Sequence, residues 1–349
     1  MNKDYINILD HSTKELETLL ELIAPMKAAY KARELPKLLD RRTLSMIFME
    51  SSLRTRMSFE VAMNALGGSG LYIRPGDIHL GKKETLQDTA IVMGSMCDGI
   101  VCRTDKYSDI EGLAKYANVP VINGMCDEGH PTQALCDVFT MYEESGKIKG
   151  LNLAFVGDTS KGFGIIGRDL MLMAAKLGFN FYGASPGEYM LDDEYRETIM
   201  AIASESGADI VITDDPKEVV KNADFLTCDS ITWYGFEDEE EDRFKILMPY
   251  QVNEALLKAA PAHCRFLHCL PAIRGEEVTA EVIDGPQSIV YDQAENRLHA
   301  ELALCAAFLG DEAALDKVDQ AKTDLNDNSS ANTKKIIEIL RKWYALQSQ

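Results

Sequence analysis

The chain predicts an α/β fold of two doubly wound parallel-sheet domains with an interdomain cleft and an extra C-terminal helix. Three observations carry that expectation. Apolar strand-like runs alternate with helical patterns over the first 310 residues; the series restarts after a turn-prone ESGKIKG at 144–150; and 349 residues exceed what one core usually serves. The expected divisions are 1–148, 149–310 and 311–349, the last a linker and helix packing on the first domain or on a neighbouring subunit.

Ser12 and Glu15 have the form of a capping box, and Leu16, Leu19, Leu20 and Ile23 follow at helical spacing, so a first helix is predicted over 13–32. The run LSMIFM at 44–49 reads as a buried strand. After Arg54, the residues Phe59, Ala62, Met63 and Leu66 repeat at i, i+3, i+4 and i+7 before Gly67-Gly68, which makes strand, short polar loop, helix. GLYI, DGIVCR and VPVIN supply further strands before the break. Beyond it, LNLAFVG, FNFYGAS, ADIVITD, DFLTCD, CRFLHCLP and SIVYD each precede a helical pattern. After about 310 the chain turns polar, TDLNDNSSANT at 323–333 reads as a linker, and a closing helix carries Ile336, Leu340 and Trp343 on one face.

Charge and composition narrow the partners. A formal net charge of −20 repels a nucleic-acid backbone and an anionic membrane surface, so neither is an expected partner. No apolar run reaches the length of a membrane span and the first residues lack a secretory pattern, so the expected location is the cytoplasm. Eight cysteines stand singly, without CxxC pairs, and read as buried free thiols. The acidic run from Glu237 to Asp242 reads as a solvated loop, and no metal site is expected.

In doubly wound sheets, ligands sit beyond the carboxyl ends of strands, and the chemistry-bearing residues fall there. Ser52-Leu53-Arg54-Thr55-Arg56 lies between a strand and a helix start, where backbone N–H groups, hydroxyls and guanidinium forks make an anion site suited to phosphate. Arg103 ends DGIVCR, and His130-Pro131-Thr132-Gln133 follows VPVING with a helix behind it. The expected result is three strand ends that present Arg, Arg and His-Gln together. In the second half, His268-Cys269-Leu270-Pro271 ends a strand; adjacent His and Cys point to opposite sides of it, which discounts a Cys-His nucleophile.

Together these segments resemble the aspartate and ornithine carbamoyltransferase family. SLRTR stands against the family's S-T-R-T-R, followed by Arg103, HPTQAL at 130–135, HCLP at 268–271 and AENR at 294–297, in the right order from about residue 5 to 310. Trp233-Tyr234-Gly235, PYQVNEAL at 249–256, RGEEVTAEVIDG at 274–285 and the closing helix are closest to its putrescine carbamoyltransferase branch.

The resemblance implies transfer of a carbamoyl group, reversibly, from carbamoyl phosphate to a small amine, with putrescine favoured and ornithine or another amine or amide as alternatives. It implies a carbamoyl phosphate site made of Ser52, Leu53, Arg54, Thr55, Arg56, Arg103, His130 and Gln133, joined by His79 from a neighbouring subunit. Arg103, His130, Thr55 and Arg297 are the implied catalytic set, with Arg297 closing over the carbonyl from the second domain. Asp229, Trp233, Tyr234, His268, Cys269, Leu270 and Pro271 are implied for the amine, and the Leu270 carbonyl, with Gln133, for the carbamoyl nitrogen. The implied assembly is a homotrimer with shared active sites, in which the 79–85 loop reaches a neighbour; the closing helix is a candidate for a lock between subunits.

The chemistry is consistent without the family. Attack of a neutral amine on the carbamoyl carbon builds negative charge on its oxygen, which fixed donors stabilise. The leaving phosphate is basic enough to take a proton, so no metal or cofactor is required. An aromatic wall of Trp233 and Tyr234 suits a methylene chain, and Asp229 suits a distal ammonium.

Three positions depart from the family pattern: Leu53 for Thr, His79 for Gln, and DSITWYG at 229–235, which lacks the Ser-Met-Gly of ornithine enzymes. Two other classes compete. A nicotinamide-dependent oxidoreductase is suggested by GFGIIG at 162–167, yet the preceding strand ends five residues early and the next carries no acid at its end. A non-catalytic metabolite-binding paralogue is the other.

Overall fold

The computed structural model describes residues 3–78, 80, 83–232, 239–324 and 330–348, with 321–324 as backbone only. The chain divides into two compact units, Met1–Cys126 with Asn296–Gln349, and Asp127–Glu295.

In unit 1, α1 (Thr13–Lys31) opens on the expected capping box: Ser12 Oγ accepts the Glu15 N–H at 3.2 Å, and Glu15 accepts the Ser12 N–H at 2.7 Å. There follow β1 (Thr43–Phe48), α2 (Arg54–Ala65), β2 (Ser69–Ile73), α3 (Leu86–Met96), β3 (Gly99–Arg103), α4 (Tyr107–Tyr116) and β4 (Val121–Met125). The strands form one parallel sheet in the order β2-β1-β3-β4, with Phe48 in register with Arg103. Sequence neighbours therefore diverge between β1 and β3. At such a switch point the loops after the two strands part to opposite faces and leave a crevice. The segment 49–53 and Arg103 stand at that point. Near-continuous burial of β1 and β3, with Ile47, Phe48, Ile100 and Val101 fully inside, matches a sheet covered on both faces.

In unit 2, α5 (Pro131–Ser145) is followed by β5 (Asn152–Val156), α6 (Ile165–Leu177), β6 (Asn180–Ala184), α7 (Asp193–Ser206), β7 (Ile210–Thr213), α8 (Pro216–Val220) and β8 (Phe225–Cys228). Then come α9 (Glu240–Leu247), α10 (Glu254–Ala259), β9 (Arg265–His268) and α11 (Ala280–Ile283). The parallel sheet has the order β7-β6-β5-β8-β9, so its switch point lies between β5 and β8, whose ends lead to Asp158 and Asp229. In GFGIIG, Gly162 takes φ 86° with open space beside it, while Gly164 and Gly167 serve packing. A Cβ on Gly164 would meet the Thr159 backbone at 2.5 Å, and one on Gly167 the Phe155 ring at 2.9 Å.

The chain re-enters unit 1 at Asn296, inside α12 (Val290–Leu309), and ends with α13 (Glu312–Asp324) and α14 (Ala331–Gln347). Two expectations fail in this region. The strand expected at 288–292 is a single bridge at Ser288 followed by the start of α12; the β-branched Ile289 and Val290 suggested a strand, but the stripe that packs continues at helical spacing. The polar stretch after 310 contains α13, whose Leu315 is buried and whose Asp316 and Asp319 pair with Arg341 of α14. Within unit 1, α14 packs along α1, burying Ile336, Ile339, Leu340 and Trp343. Trp343 Nε1 donates to Ala307 O at 2.9 Å, and Gln347 Nε2 to Glu15 Oε1 at 2.5 Å. The apolar face assigned to locking subunits is thus covered by the chain's own first helix.

All eight cysteines are free, six of them buried. Among the described residues no helix is long and apolar enough to cross a membrane, and no group of His, Cys, Asp and Glu is arranged to hold a metal ion.

Candidate active site

In unit 1 the α2 start is built by its own loop. Ser52 Oγ accepts the Thr55 N–H at 3.3 Å, and Leu53, in the αR region, stands as the N-cap with its side chain 67% exposed. At 53 an apolar side chain thus stands largely exposed where the family pattern has a hydroxyl. Arg54 is half-buried at the first helical position. Thr55 is buried, and its Oγ1 accepts from Arg297 Nη2 at 3.2 Å. The same guanidinium nitrogen donates to Glu301 Oε1 at 2.8 Å, and Ser58 Oγ reaches Glu301 Oε1 at 3.5 Å while also donating to Thr55 O. Arg103 is half-buried at the end of β3, where a bulge shifts the β3–β4 register and Met125 takes φ 133°.

Two expectations are corrected here. Arg56, expected in the anion site, is exposed and turned to other partners, with Nε 3.6 Å from Glu60 and its guanidinium 3.7 Å above the Tyr72 ring. Successive helix positions point about 100° apart, so the buried Thr55 and the exposed Arg56 lie on different faces of α2. Arg297 belongs to unit 1 rather than to the second domain, because α12 returns to unit 1 at Asn296, and its Nη2 donates to Thr55 and Glu301.

Unit 2 carries His130 and Gln133 at the start of α5, grouped apart from Arg54 and Arg103. The reason is packing: Pro131 to Met141 are all buried, with α5 against α6. His130 is buried, its N–H donates to Asp169 Oδ2 at 2.6 Å, and its Nδ1 lies 3.3 Å from Thr132 Oγ1. A Cβ on Gly129 would sit 2.8 Å from Asp169 Oδ2, so glycine is what admits that carboxylate. Burial pushes the Asp169 carboxyl up to about 7, against the His130 N–H bond and Arg168.

A buried polar chain ties α5 to the β9 end. Gln133 Nε2 and Gln293 Nε2 each donate to Asp137 Oδ1 at 2.6 Å. Gln293 Oε1 accepts the His268 N–H at 2.8 Å, and His268 Nδ1 accepts the Leu270 N–H at 2.9 Å. With Nδ1 accepting, Nε2 is the ring's donor nitrogen, and it lies 3.4 Å from Glu277 Oε1. The Leu270–Pro271 peptide is cis and Leu270 has φ 55°. At the end of β8, Asp229 Oδ1 accepts the Ser230 N–H at 2.8 Å and lies 3.3 Å from Cys269 Sγ. Asp229 Oδ2 has no hydrogen-bond partner among the described residues. Burial raises the Asp229 carboxyl to about 6, with the His268 charge opposing the rise.

Trp233, Tyr234 and His79 lie outside the described residues. Sequence reasoning did not single out Asp137, Asp169, Gln293, Glu277 or Glu301. Only Asp137 left a readable signal, four residues after Gln133 on one helix face. It also missed two buried arginines. Arg243 pairs with Asp158 at 2.6 Å, donates to Ile231 O and lies 3.4 Å above the Phe163 ring; Arg168 pairs with Asp192 at 2.9 Å above Tyr195.

Comparison with known proteins bears on this arrangement. Residues 3–143 match the family model described as aspartate/ornithine carbamoyltransferase, carbamoyl-P binding domain, and residues 149–308 the one described as aspartate/ornithine carbamoyltransferase, Asp/Orn binding domain. An ornithine carbamoyltransferase from Thermococcus kodakarensis is 44% identical, covering 88% of this chain and 96% of that one. A putrescine carbamoyltransferase from Mycoplasma capricolum is 42% identical, covering 88% and 87%. The solved ornithine carbamoyltransferase from Pyrococcus furiosus superposes with a TM-score of 0.83 at 44% identity, over 87% of this chain and 96% of that one. With both units matched in order and relatives of that likeness over most of its length, the chain belongs to the aspartate/ornithine carbamoyltransferase family and is a carbamoyltransferase.

Proposed function

We propose that the enzyme moves a carbamoyl group reversibly between carbamoyl phosphate and a small diamine, with putrescine preferred to ornithine, as a cytoplasmic homotrimer. Asp229 carries the acceptor assignment. It is a buried carboxylate with one oxygen unpartnered among the described residues, beyond β8 at the switch point of the second sheet. An ammonium placed on that oxygen gains a charge-assisted hydrogen bond and relieves the cost of a buried anion. An α-carboxylate needs cationic donors instead. The two buried arginines of unit 2 are already matched, Arg243 with Asp158 and Arg168 with Asp192. Likeness to relatives does not separate the acceptors, since 44% and 42% identity are nearly equal.

Ser52, Arg54, Thr55 and the Leu53 N–H hold the phosphate in this reading. Arg103, Thr55 and His130 donate to the carbamoyl oxygen as charge builds there, and Arg297 acts through Thr55. Gln133, whose amide Asp137 orients, and the Leu270 carbonyl accept from the carbamoyl nitrogen. His268, Cys269 and Pro271 shape the amine subsite around Asp229. The leaving phosphate takes the amine proton, so the protein's task is to position two substrates and exclude water. Large apolar side chains exposed on unit 1, among them Leu53, Met57, Leu71, Ile91 and Met96, support a closed oligomer.

The deciding experiment is kcat/KM for putrescine, cadaverine, ornithine and lysine at saturating carbamoyl phosphate, with light scattering for the assembly. Putrescine is expected to lead. A preference for ornithine overturns the acceptor assignment, and phosphate release with none of the four points to another amine.

A further inference from the structure

We propose that Glu301 is a positioning residue for the phosphate loop: it holds Arg297 on Thr55 and so turns the Thr55 hydroxyl hydrogen toward the bound anion. The proposal deepens the carbamoyl-transfer reading and rests on it for the identity of that anion.

The geometry is confined to unit 1. One nitrogen, Arg297 Nη2, donates both to Glu301 Oε1 at 2.8 Å and to Thr55 Oγ1 at 3.2 Å, which accounts for both of its hydrogens. A hydroxyl that accepts from a guanidinium has its lone pair directed at the cation and its own hydrogen directed away. No donation from Thr55 Oγ1 to any described residue is recorded, and the polarised O–H is a stronger donor than a free one. Thr55 lies in the first turn of α2, where the orphan N–H groups of a helix start favour an anion.

Glu301 is what makes Arg297 serve the hydroxyl rather than the anion directly. An arginine side chain has several free torsions, and without a fixed acceptor it would swing onto a phosphate. Glu301 removes that freedom from one turn along α12, with Ser58 Oγ on α2 3.5 Å from the same carboxylate oxygen. The carboxylate is fully buried, and its Oε2 has no hydrogen-bond partner among the described residues. A purely structural partner for Arg297 would be better satisfied than this.

The groups recorded against Glu301 are Arg297 and Cys305 on α12 and Ser58 on α2. Burial outweighs the pull of Arg297 and Ser58 and raises its carboxyl to about 7. The hold on Arg297 is therefore complete above that pH and weakens as pH falls through it.

The test compares the parent enzyme with Glu301→Gln, which keeps the shape and the Oε1 acceptor but not the charge. The first measurement is the dissociation constant of inorganic sulfate, an anion that does not titrate in this range, from about pH 6 to about pH 9. The second is kcat/KM for carbamoyl phosphate over the same range. In the parent, both are expected to improve as pH rises through about 7. In the variant the step disappears and affinity stays roughly tenfold weaker than the parent's high-pH value, the low end for a charge-assisted hydrogen bond, with KM for the amine unchanged.

A carboxylate that acts only as a neighbouring negative charge gives the opposite sign: sulfate binds the parent more weakly above pH 7, and the variant binds it more tightly. That result overturns the proposal, as does a step that survives in the variant. Sulfate binding needs no turnover, so absence of carbamoyl transfer in the parent would fault the functional reading and leave this test standing.

Discussion

Asp229→Asn is expected to stabilise the fold at neutral pH while it weakens the acceptor. The folded carboxyl titrates at about 6 because burial disfavours its charge, against an ordinary value of 3.8. A carboxyl raised in the folded state favours folding at low pH, and that advantage is lost as pH rises from the unfolded value through the folded one. A shift of about two units, at about 1.36 kcal/mol each, amounts to about 3 kcal/mol above about pH 7. The amide never ionises. The variant should therefore gain about 3 kcal/mol on the parent near pH 8, about half that near pH 5, and almost nothing near pH 3. Weaker acceptance from the Ser230 N–H offsets all three values alike, so the trend with pH is what urea unfolding must read. In kinetics, loss of one charge-assisted hydrogen bond of about 1.5 to 3 kcal/mol lowers kcat/KM for putrescine roughly 10- to 150-fold, with the carbamoyl phosphate KM unchanged. A stability difference flat with pH, or an unaltered kcat/KM for putrescine, refutes the reasoning.

Gly129→Ala places a methyl group 2.8 Å from Asp169 Oδ2 and so pushes that carboxylate off the His130 N–H. Turnover should fall by about tenfold or more with little change in amine KM, as steady-state kinetics would read; full activity would mean that His130 needs no such anchor. Trp343→Ala removes a buried ring that packs 5.1 Å from Phe308 and donates to Ala307 O. The expected cost in urea unfolding is about 3 to 5 kcal/mol, with the oligomeric state in light scattering the same as the parent's, because α14 is bound to its own α1. A change of oligomeric state without loss of stability would return this helix to the role of an intersubunit lock.

What could be read from the sequence was what is contiguous in it. SLRTR declares itself because strand, polar loop and helix start follow one another within a dozen residues, and the alternating runs place both sheets. The carboxylates that fix the site were not readable. Glu301 meets Ser58 across 243 positions, and Asp169 meets His130 across 39, with no period or motif joining them. Arg297 was visible as part of AENR, but the side it serves depends on a helix that begins in one unit and ends in the other. Arg56 looked like a second phosphate ligand because spacing does not tell which face of α2 meets the crevice. The false strand at 288–292 came from composition, since Ile289 and Val290 favour strands wherever they occur.

The three buried carboxyls raised by burial, Asp169, Asp229 and Glu301, have one circumstance in common. Each touches a group that the proposed reaction uses: the His130 backbone, the amine subsite, or Arg297 on Thr55. Asp158 meets Arg243 in a fully buried pair at 2.6 Å, and the exposed Asp192 meets the buried Arg168 at 2.9 Å. A carboxylate that ionises at a cost to the fold is weak evidence for stability, and amides of the same shape would serve packing as well. Contact of all three with residues that the proposed reaction uses argues that the cost is tolerated for function. It follows that Asn at 169 or 229 should raise stability most above pH 7 and lower activity in the same range, whereas Gln at 301 also leaves the buried Arg297 without its carboxylate and gains less. Matched substitutions at 158 or 192 should lower stability at every pH where the arginine is left alone. Opposite signs of the stability change in the two sets would separate the carboxylates that serve the reaction from those that serve the fold.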